Sequence, residues 1–246
     1  MVSTTAEGER SAPGRISTRR TFLKASSLLA WLLTMPFSKA AAFMEGFPVR
    51  TVERDTFQFD PSAGKIRWSG GMQDEAYRLV IDGLVEKQLI MAYQDLKRLS
   101  QVTQVSDLHC VEGWSVSDIR WGGFRFEELL KRVTRKPGAD YAVFHAIGQT
   151  ASRPAGQGHY VESFPVSDLV DARQQCLLAL SMDGEPLPHD HGAPLRVVAP
   201  FSLGYKNIKY VRRVEFAEKP QPGWWTLANP IYPVHAPVSK DRLRQK

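Results

Sequence analysis

The chain has 246 residues, 43% hydrophobic and 24% charged, with 18 glycines and 16 prolines. That composition excludes a disordered or collagen-like chain, and the length suffices to bury a core without disulfide staples. The formal net charge is +6, but residues 1–40 carry six Lys or Arg against two acids, so only +2 belongs to the remainder. A nucleic-acid binder would carry its basic footprint on the folded part together with a recognisable motif, and neither is present.

The first forty-two residues read as an address. Ser17-Thr-Arg-Arg-Thr-Phe-Leu-Lys24 has the form of a twin-arginine signal, an apolar stretch follows from Ala25 to Pro36, and Ala40-Ala41-Ala42 offers a small-residue cleavage site. Lys24, Ser26, Ser27, Thr34 and Pro36 leave a clean apolar run of about eight residues, where a membrane span needs about twenty. The expectation is a signal over 1–42, delivery to the periplasm by the twin-arginine export machinery, and a mature domain over 43–246. Proteins taking this route are generally exported folded, many with a cofactor already inserted.

In the mature part, residues 43–75 are polar and turn-rich, with Asp60-Pro61 and Gly70-Gly71 as breakers. Tyr77–Ile81 alternates into a tight turn at Asp82-Gly83, a strand pattern. Gln94–Leu99 reads as a short helix. Val102–Val111 is β-branched and alternating, which puts Cys110 at a strand's end. Gly122-Gly123 is expected to break the chain before a helix over Phe126–Val133. Tyr141–Ile147 is a strand, Gly148–Gly158 a loop, and Ser167 a candidate cap for a helix over Asp168–Ala172. Leu177–Met182 with Asp183-Gly184 starts a hairpin. Leu195–Ala199 and Ile208–Phe216 are further strands, and the tail from Pro220 packs along the surface. The sum is a single α+β domain with mixed β-sheets and short helices.

Two cysteines are present. Cys176 sits in the apolar run Cys176-Leu-Leu-Ala-Leu180 and reads as a small core residue. Cys110 sits in Leu108-His-Cys-Val-Glu-Gly-Trp-Ser115. A thiolate there is a soft metal ligand, but one cysteine cannot build a structural zinc site, which takes four ligands. The chain has no Cys-x-x-Cys or His-x-x-x-His pair to help, so a metal at Cys110 would draw its other ligands from a cofactor.

Cys110-Val-Glu-Gly-Trp-Ser resembles the molybdenum-cysteine motif of the sulfite oxidase family, closest to its sulfoxide-reductase branch. Three further segments resemble that family in order: Phe47-Pro-Val-Arg50, its early cofactor loop; Gly184 to Val198, its long cofactor-binding segment; and Gly204-Tyr-Lys-Asn-Ile-Lys209, its phosphate loop. The resemblance implies a sulfite oxidase-type molybdopterin-binding fold and molybdenum-molybdopterin as cofactor. It makes Cys110 the metal ligand and Tyr160 a catalytic neighbour of the metal. It assigns cofactor contacts to Arg50, Glu112, His191, Arg196 and Lys209, and phosphate donors to the backbone of Asn207, Ile208 and Lys209. Taken without the family, Arg196 and Lys209 read as ordinary exposed charges, Tyr160 as a half-buried strand aromatic and Trp114, Trp121, Trp224 and Trp225 as packing, while His191 reads equally well as a turn residue.

The chain also departs from that pattern. Sulfite oxidases place arginines a few residues after the metal cysteine to bind an oxyanion; here stand Trp114 and Ser115, and Arg120 is farther along. Ala146 occupies a position where the sulfoxide-reductase branch has a hydroxyl. Neither a second sandwich domain nor a haem motif is seen. The expectation is therefore two-electron oxygen-atom transfer on a small molecule: reduction of a sulfoxide or N-oxide, or oxidation of sulfite if Arg153 restores an anion site. Electrons would pass to or from an external cytochrome or haem membrane subunit. The contrasting readings are a non-catalytic ligand-binding module on the same fold, which has no use for Cys110, and a hydrolase, for which no Gly-x-Ser-x-Gly elbow exists.

Overall fold

The computed structural model describes residues 56–243. The expected signal over 1–42 and the Phe47–Arg50 segment lie outside the described residues. The turn-rich start forms three short strands, β1 (Phe57–Asp60), β2 (Lys65–Trp68) and β3 (Glu75–Ala76), paired antiparallel in that order. Phe57, Phe59 and Ile66 are buried, so period-2 alternation is present there, in pieces too short to stand out from the polar surroundings.

Strand β4 (Arg78–Gly83) is followed by β5 (Leu89–Ala92) and helix α1 (Tyr93–Lys97). Asp95 closes the first turn of α1 by accepting the Ala92 N–H at 2.9 Å. Next come β6 (Gln101–His109) and β7 (Ser115–Phe124), a long antiparallel hairpin with Cys110 at its tip. The expected break at Gly122-Gly123 is corrected here, because β7 runs through both glycines. A Cβ on Gly123 would strike the Leu178 carbonyl, and one on Gly122 the Ser181 hydroxyl. The glycines admit a neighbouring strand at close range.

Helix α2 (Glu127–Leu130) is shorter than its apolar spacing suggested. Strands β8 (Tyr141–Ala146) and β9 (Val161–Pro165) lead into α3 (Val166–Val170). Ser167 falls inside α3 and makes no cap, since the helix starts directly after Pro165. Strand β10 (Leu177–Met182) turns through Asp183-Gly184 into β11 (Glu185–Pro186). Strands β12 (Arg196–Val198) and β13 (Val211–Ala217) follow, and the tail forms α4 (Trp224–Ala228).

One sheet has the order β11-β10-β7-β6, with β12 also paired to β10; the other has the order β5-β4-β13-β8-β9. In the second, β13 runs parallel to β4 and antiparallel to β8, so the sheet is mixed. Phe57, Leu79, Trp121, Phe144, Leu178 and Val214, drawn from all three sheets, belong to one continuous buried cluster. This is the single α+β domain that the sequence implied. No helix among the described residues is long and apolar enough to cross a membrane.

Candidate active site

The β6–β7 tip places Cys110 where strand pairing ends. The Cys110 N–H donates to the Trp114 carbonyl at 2.9 Å and the Gly113 N–H to the Cys110 carbonyl at 3.2 Å, which closes a tight turn. Cys110 is a free, half-buried thiol, whereas Val111, Glu112, Gly113 and Trp114 are all exposed. Trp114 donates its indole N–H to Glu112 at 3.2 Å, so the candidate acid lies on the same turn as the thiol. Behind the turn, buried His109 bonds the Ser115 hydroxyl through Nδ1 at 2.8 Å.

A second segment comes to this tip from between β12 and β13. A Cβ built on Gly204 would lie 3.3 Å from the His109 carbonyl and 3.8 Å from the Cys110 Cα. The turn Gly204–Lys206 therefore rests against the thiol-bearing residue, and two motifs about ninety positions apart in sequence meet in space. Asn207 shapes this turn. Its side-chain carbonyl accepts the Ala199 N–H at 2.6 Å, and its amide reaches the Ser202 and Leu203 carbonyls at 3.3 Å each. The expected donor role of the backbone here is narrowed. The Asn207 N–H is already bonded to the Gly204 carbonyl and the Ile208 N–H to that of Lys206. Neither of these two amides is left to donate to a ligand, and the cationic side chains nearby are the remaining candidates.

Those side chains are assembled by the pairing of 192–197 with 207–211. Val197 donates to the Ile208 carbonyl, Tyr210 to Gly192 and Val211 to Leu195. Gly192, with φ +112°, is the pivot. A Cβ there would sit 2.9 Å from the Cβ of Lys209 and 3.2 Å from that of Arg196. The two cations consequently flank one glycine backbone. Lys209 donates to the Asp190 carbonyl at 2.6 Å.

Arg196 is 3% exposed. Its guanidinium donates to the His191 carbonyl at 2.9 Å, has a longer contact with the Asn207 carbonyl at 3.4 Å, and stacks 4.8 Å from the Trp121 ring. No carboxylate pairs with it among the described residues, and burial pulls its pKa down to about 10. His191 is brought down to about 4, by burial first and then by Arg196 and Lys209, so it is neutral at physiological pH. The His191 Nε2 and the Trp121 indole N–H are buried with no hydrogen-bond partner among the described residues. A buried cation without an acid, beside unspent polar atoms, suits an anion with several acceptor oxygens such as a phosphate. The residues present therefore fit the phosphate end of a pterin cofactor.

Tyr160 is buried and stacks on Trp224, with ring centroids 6.2 Å apart. Its hydroxyl donates to the Tyr205 carbonyl at 2.6 Å. It thus meets the Gly204–Lys206 turn directly and Cys110 through that turn. Arg120 points to solvent on β7, and Arg153 is folded over its own loop onto Gln149 at 3.1 Å.

Sequence reasoning missed two groups here. Lys206, 1% exposed, forms a 2.6 Å ion pair with fully buried Glu162 and donates to the Ser163 carbonyl at 2.9 Å. Burial raises Glu162 to about 7, partly offset by Lys206. Lys206 lay inside a quoted motif, but alternation along Val161–Pro165 gave no hint that Glu162 faces inward. The second is Arg242 in the tail, which bonds the Cys110 turn; no local signal distinguishes it from its basic neighbours.

The oxidoreductase molybdopterin-binding domain profile matches residues 66–225. The chain is 30% identical, over 224 residues, to the catalytic subunit of a protein-methionine-sulfoxide reductase from Ralstonia nicotianae, covering 86% of this chain and 66% of that protein. It is 32% identical over 180 residues to the corresponding subunit from Pseudomonas syringae pv. tomato, covering 70% and 52%. An uncharacterised oxidoreductase of Bacillus subtilis is 30% identical over 149 residues, covering 61% and 69%. The chain thus spans between about half and about two thirds of the length of these relatives. Among solved structures, the sulfane dehydrogenase of Paracoccus pantotrophus superposes with a TM-score of 0.52 at 22% identity, over 76% of this chain and 54% of that one, a likeness of fold. With the profile spanning most of the described residues and the motifs it implies brought together in space, the chain belongs to the oxidoreductase molybdopterin-binding domain family, the sulfite oxidase-type proteins.

Proposed function

We propose that the protein is an exported molybdenum-molybdopterin oxidoreductase catalysing two-electron oxygen-atom transfer. The observation that carries this is the meeting of a free thiol with a buried cation pocket across one turn. Cys110 touches the Gly204–Lys206 turn, and the segment continuing from that turn supplies Lys209 beside Arg196 and His191. In this reading Cys110 is the metal ligand. Arg196, Lys209 and His191 hold the cofactor's phosphate end, and Arg50, outside the described residues, adds a further cofactor contact. When bound, the cofactor supplies the two-electron redox chemistry.

The chain's own groups orient and enclose the reacting centre. Tyr160 acts by fixing the Tyr205 carbonyl, which makes it a positioning group; the hydrogen bond it already donates supports this over proton transfer. Glu112 and exposed Trp114 form the rim next to the thiol. Arg120 is solvent-exposed, Arg153 is engaged by Gln149, and Arg242, which does reach this turn, commits both Nη atoms to the Cys110 and Trp114 carbonyls and the Ser115 hydroxyl. An uncharged sulfoxide or N-oxide suits this rim better than sulfite does. The Ralstonia and Pseudomonas relatives carry the name of a sulfoxide reductase. Electrons pass through an external partner, a cytochrome or a haem membrane subunit, and the leader sends the folded protein through the twin-arginine machinery to the periplasm.

Metal analysis and electron paramagnetic resonance on protein from an exporting host test this reading, with Cys110→Ala alongside. Near-stoichiometric molybdenum, a Mo(V) signal altered by the substitution, and turnover of a sulfoxide or N-oxide are expected. Properly matured protein holding neither molybdenum nor pterin would overturn it.

A further inference from the structure

Arg242 reaches the Cys110 turn from the far end of the chain. It sits in the 3-10 turn Lys240–Arg242. Its Nη1 donates to the Cys110 carbonyl at 3.1 Å, and its Nη2 to the Trp114 carbonyl at 2.9 Å and the Ser115 hydroxyl at 3.0 Å. These are the two carbonyls the turn uses to close itself, through the Gly113 and Cys110 amides. The Ser115 hydroxyl in turn bonds His109. One planar fork thus grips both ends of the turn and Ser115, the strand residue after it.

Apart from the Gly204–Lys206 turn against Cys110 and the Trp114–Glu112 bond, the turn stands in solvent. Residues 111–114 are all exposed, and a Cβ added at Gly113 would meet nothing within 4 Å. Over its exposed tip, hydrogen bonds hold its backbone torsions. A guanidinium is suited to this task because its donors lie in a fixed plane and its charge strengthens each bond. The direction in which a thiolate presents its lone pairs to a metal follows from the torsions of the residue that carries it. A looser turn therefore means a less uniform metal–sulfur geometry.

We propose that Arg242 is a positioning residue that fixes the Cys110 turn and thereby the orientation of the Cys110 sulfur. This rests on the reading of Cys110 as the molybdenum ligand. The test uses molybdenum-loaded protein with Arg242→Met and Arg242→Lys, followed by amide hydrogen exchange and by the Mo(V) spectrum. In Arg242→Met, the Cys110 and Gly113 amides exchange about tenfold faster, while amides of β8 keep their rates. The Mo(V) signal shifts or splits into several species, and Arg242→Lys recovers part of both effects. Unchanged exchange at the two amides, or a Mo(V) spectrum superimposable on that of the wild type, overturns the inference. So does an equal rise in exchange across β8, which makes Arg242 an ordinary fold contact. Absence of molybdenum in the wild type itself is a separate result, which overturns the ligand reading and the inference with it.

Discussion

Two buried cations lie on one stretch of chain, and they are treated in opposite ways. Lys206 has a carboxylate 2.6 Å away and a carbonyl to complete its shell. Arg196 is as deeply buried yet has carbonyl contacts and an indole face but no acid among the described residues. Burying a charge is costly unless it is paired. A charge already paired serves the fold; a charge left unpaired beside the unspent His191 Nε2 and Trp121 N–H suits a ligand that brings its own negative charge, as the proposed function requires. The difference separates the support of the site from the site.

The largest effect should come from breaking the paired cation. Glu162→Leu strands Lys206 in a fully buried position and is expected to cost about 3–5 kcal/mol, read by chemical denaturation. Lys206→Met should cost less below pH 7, because Glu162, already raised to about 7, escapes its burial by taking up a proton. The double variant should recover most of the loss. If it is no more stable than Glu162→Leu, the pair is not what holds the Gly204–Lys206 turn.

Arg196→Met should behave in the reverse sense. Cofactor-free protein should keep its stability to within about 1 kcal/mol or gain, since an unpaired buried charge has been removed. Molybdenum content should collapse. Inorganic phosphate at about 100 times its dissociation constant should stabilise cofactor-free wild type by about 2.7 kcal/mol and leave the variant unmoved. Equal stabilisation of both proteins would place the anion elsewhere. Gly192→Ala, which forces a Cβ against Lys209 at φ +112°, should cost about 1–2 kcal/mol and weaken the phosphate response without abolishing it.

The same contrast explains what could be read from the sequence. The long hairpin strand, the Cys110 tip and the quoted 184–198 and 204–209 segments were legible, because motif spacing and alternation are local. Neither Glu162 nor Arg242 was. Glu162 lies on a strand buried on both faces, where alternation carries no information. Arg242 acts across 132 positions from a tail whose composition is merely basic. The glycines of β7 misled for a related reason. A glycine that ends a strand and one that admits a neighbouring strand look alike until that neighbour is known. Arg196 was singled out by resemblance, but its setting, a buried charge without an acid among the described residues, exists only in three dimensions.

The last effect concerns histidines kept neutral by burial and by neighbouring cations. His145 on β8 bonds His159 through Nδ1 at 2.9 Å and Glu215 through Nε2 at 3.0 Å. Arg213 faces it from β13, itself held by Asp82 and Glu215, and Gln157 bonds His159. Burial, then Arg213 and His159, bring His145 from 6.5 down to about 4 against the pull of Glu215; burial and Arg213 lower His159 too. The unfolded chain therefore takes up protons at these sites in a range where the folded chain refuses them. Their contribution to stability is complete above about pH 6.5 and is lost as pH falls toward 4, with a limit of about 1.4 kcal/mol per pH unit for each histidine. Glu162 works against this between 4.5 and about 7, since its folded form holds its proton more tightly than the unfolded chain does. Denaturation of wild type and His145→Asn at pH 7, 6 and 5 isolates the histidine term, because Glu162 is common to both. The wild type should lose stability to acid more steeply than the variant. Parallel curves would mean that the His145–His159 bond survives protonation and that the unpaired cation pocket, through His191 at about 4, governs the acid response of the fold.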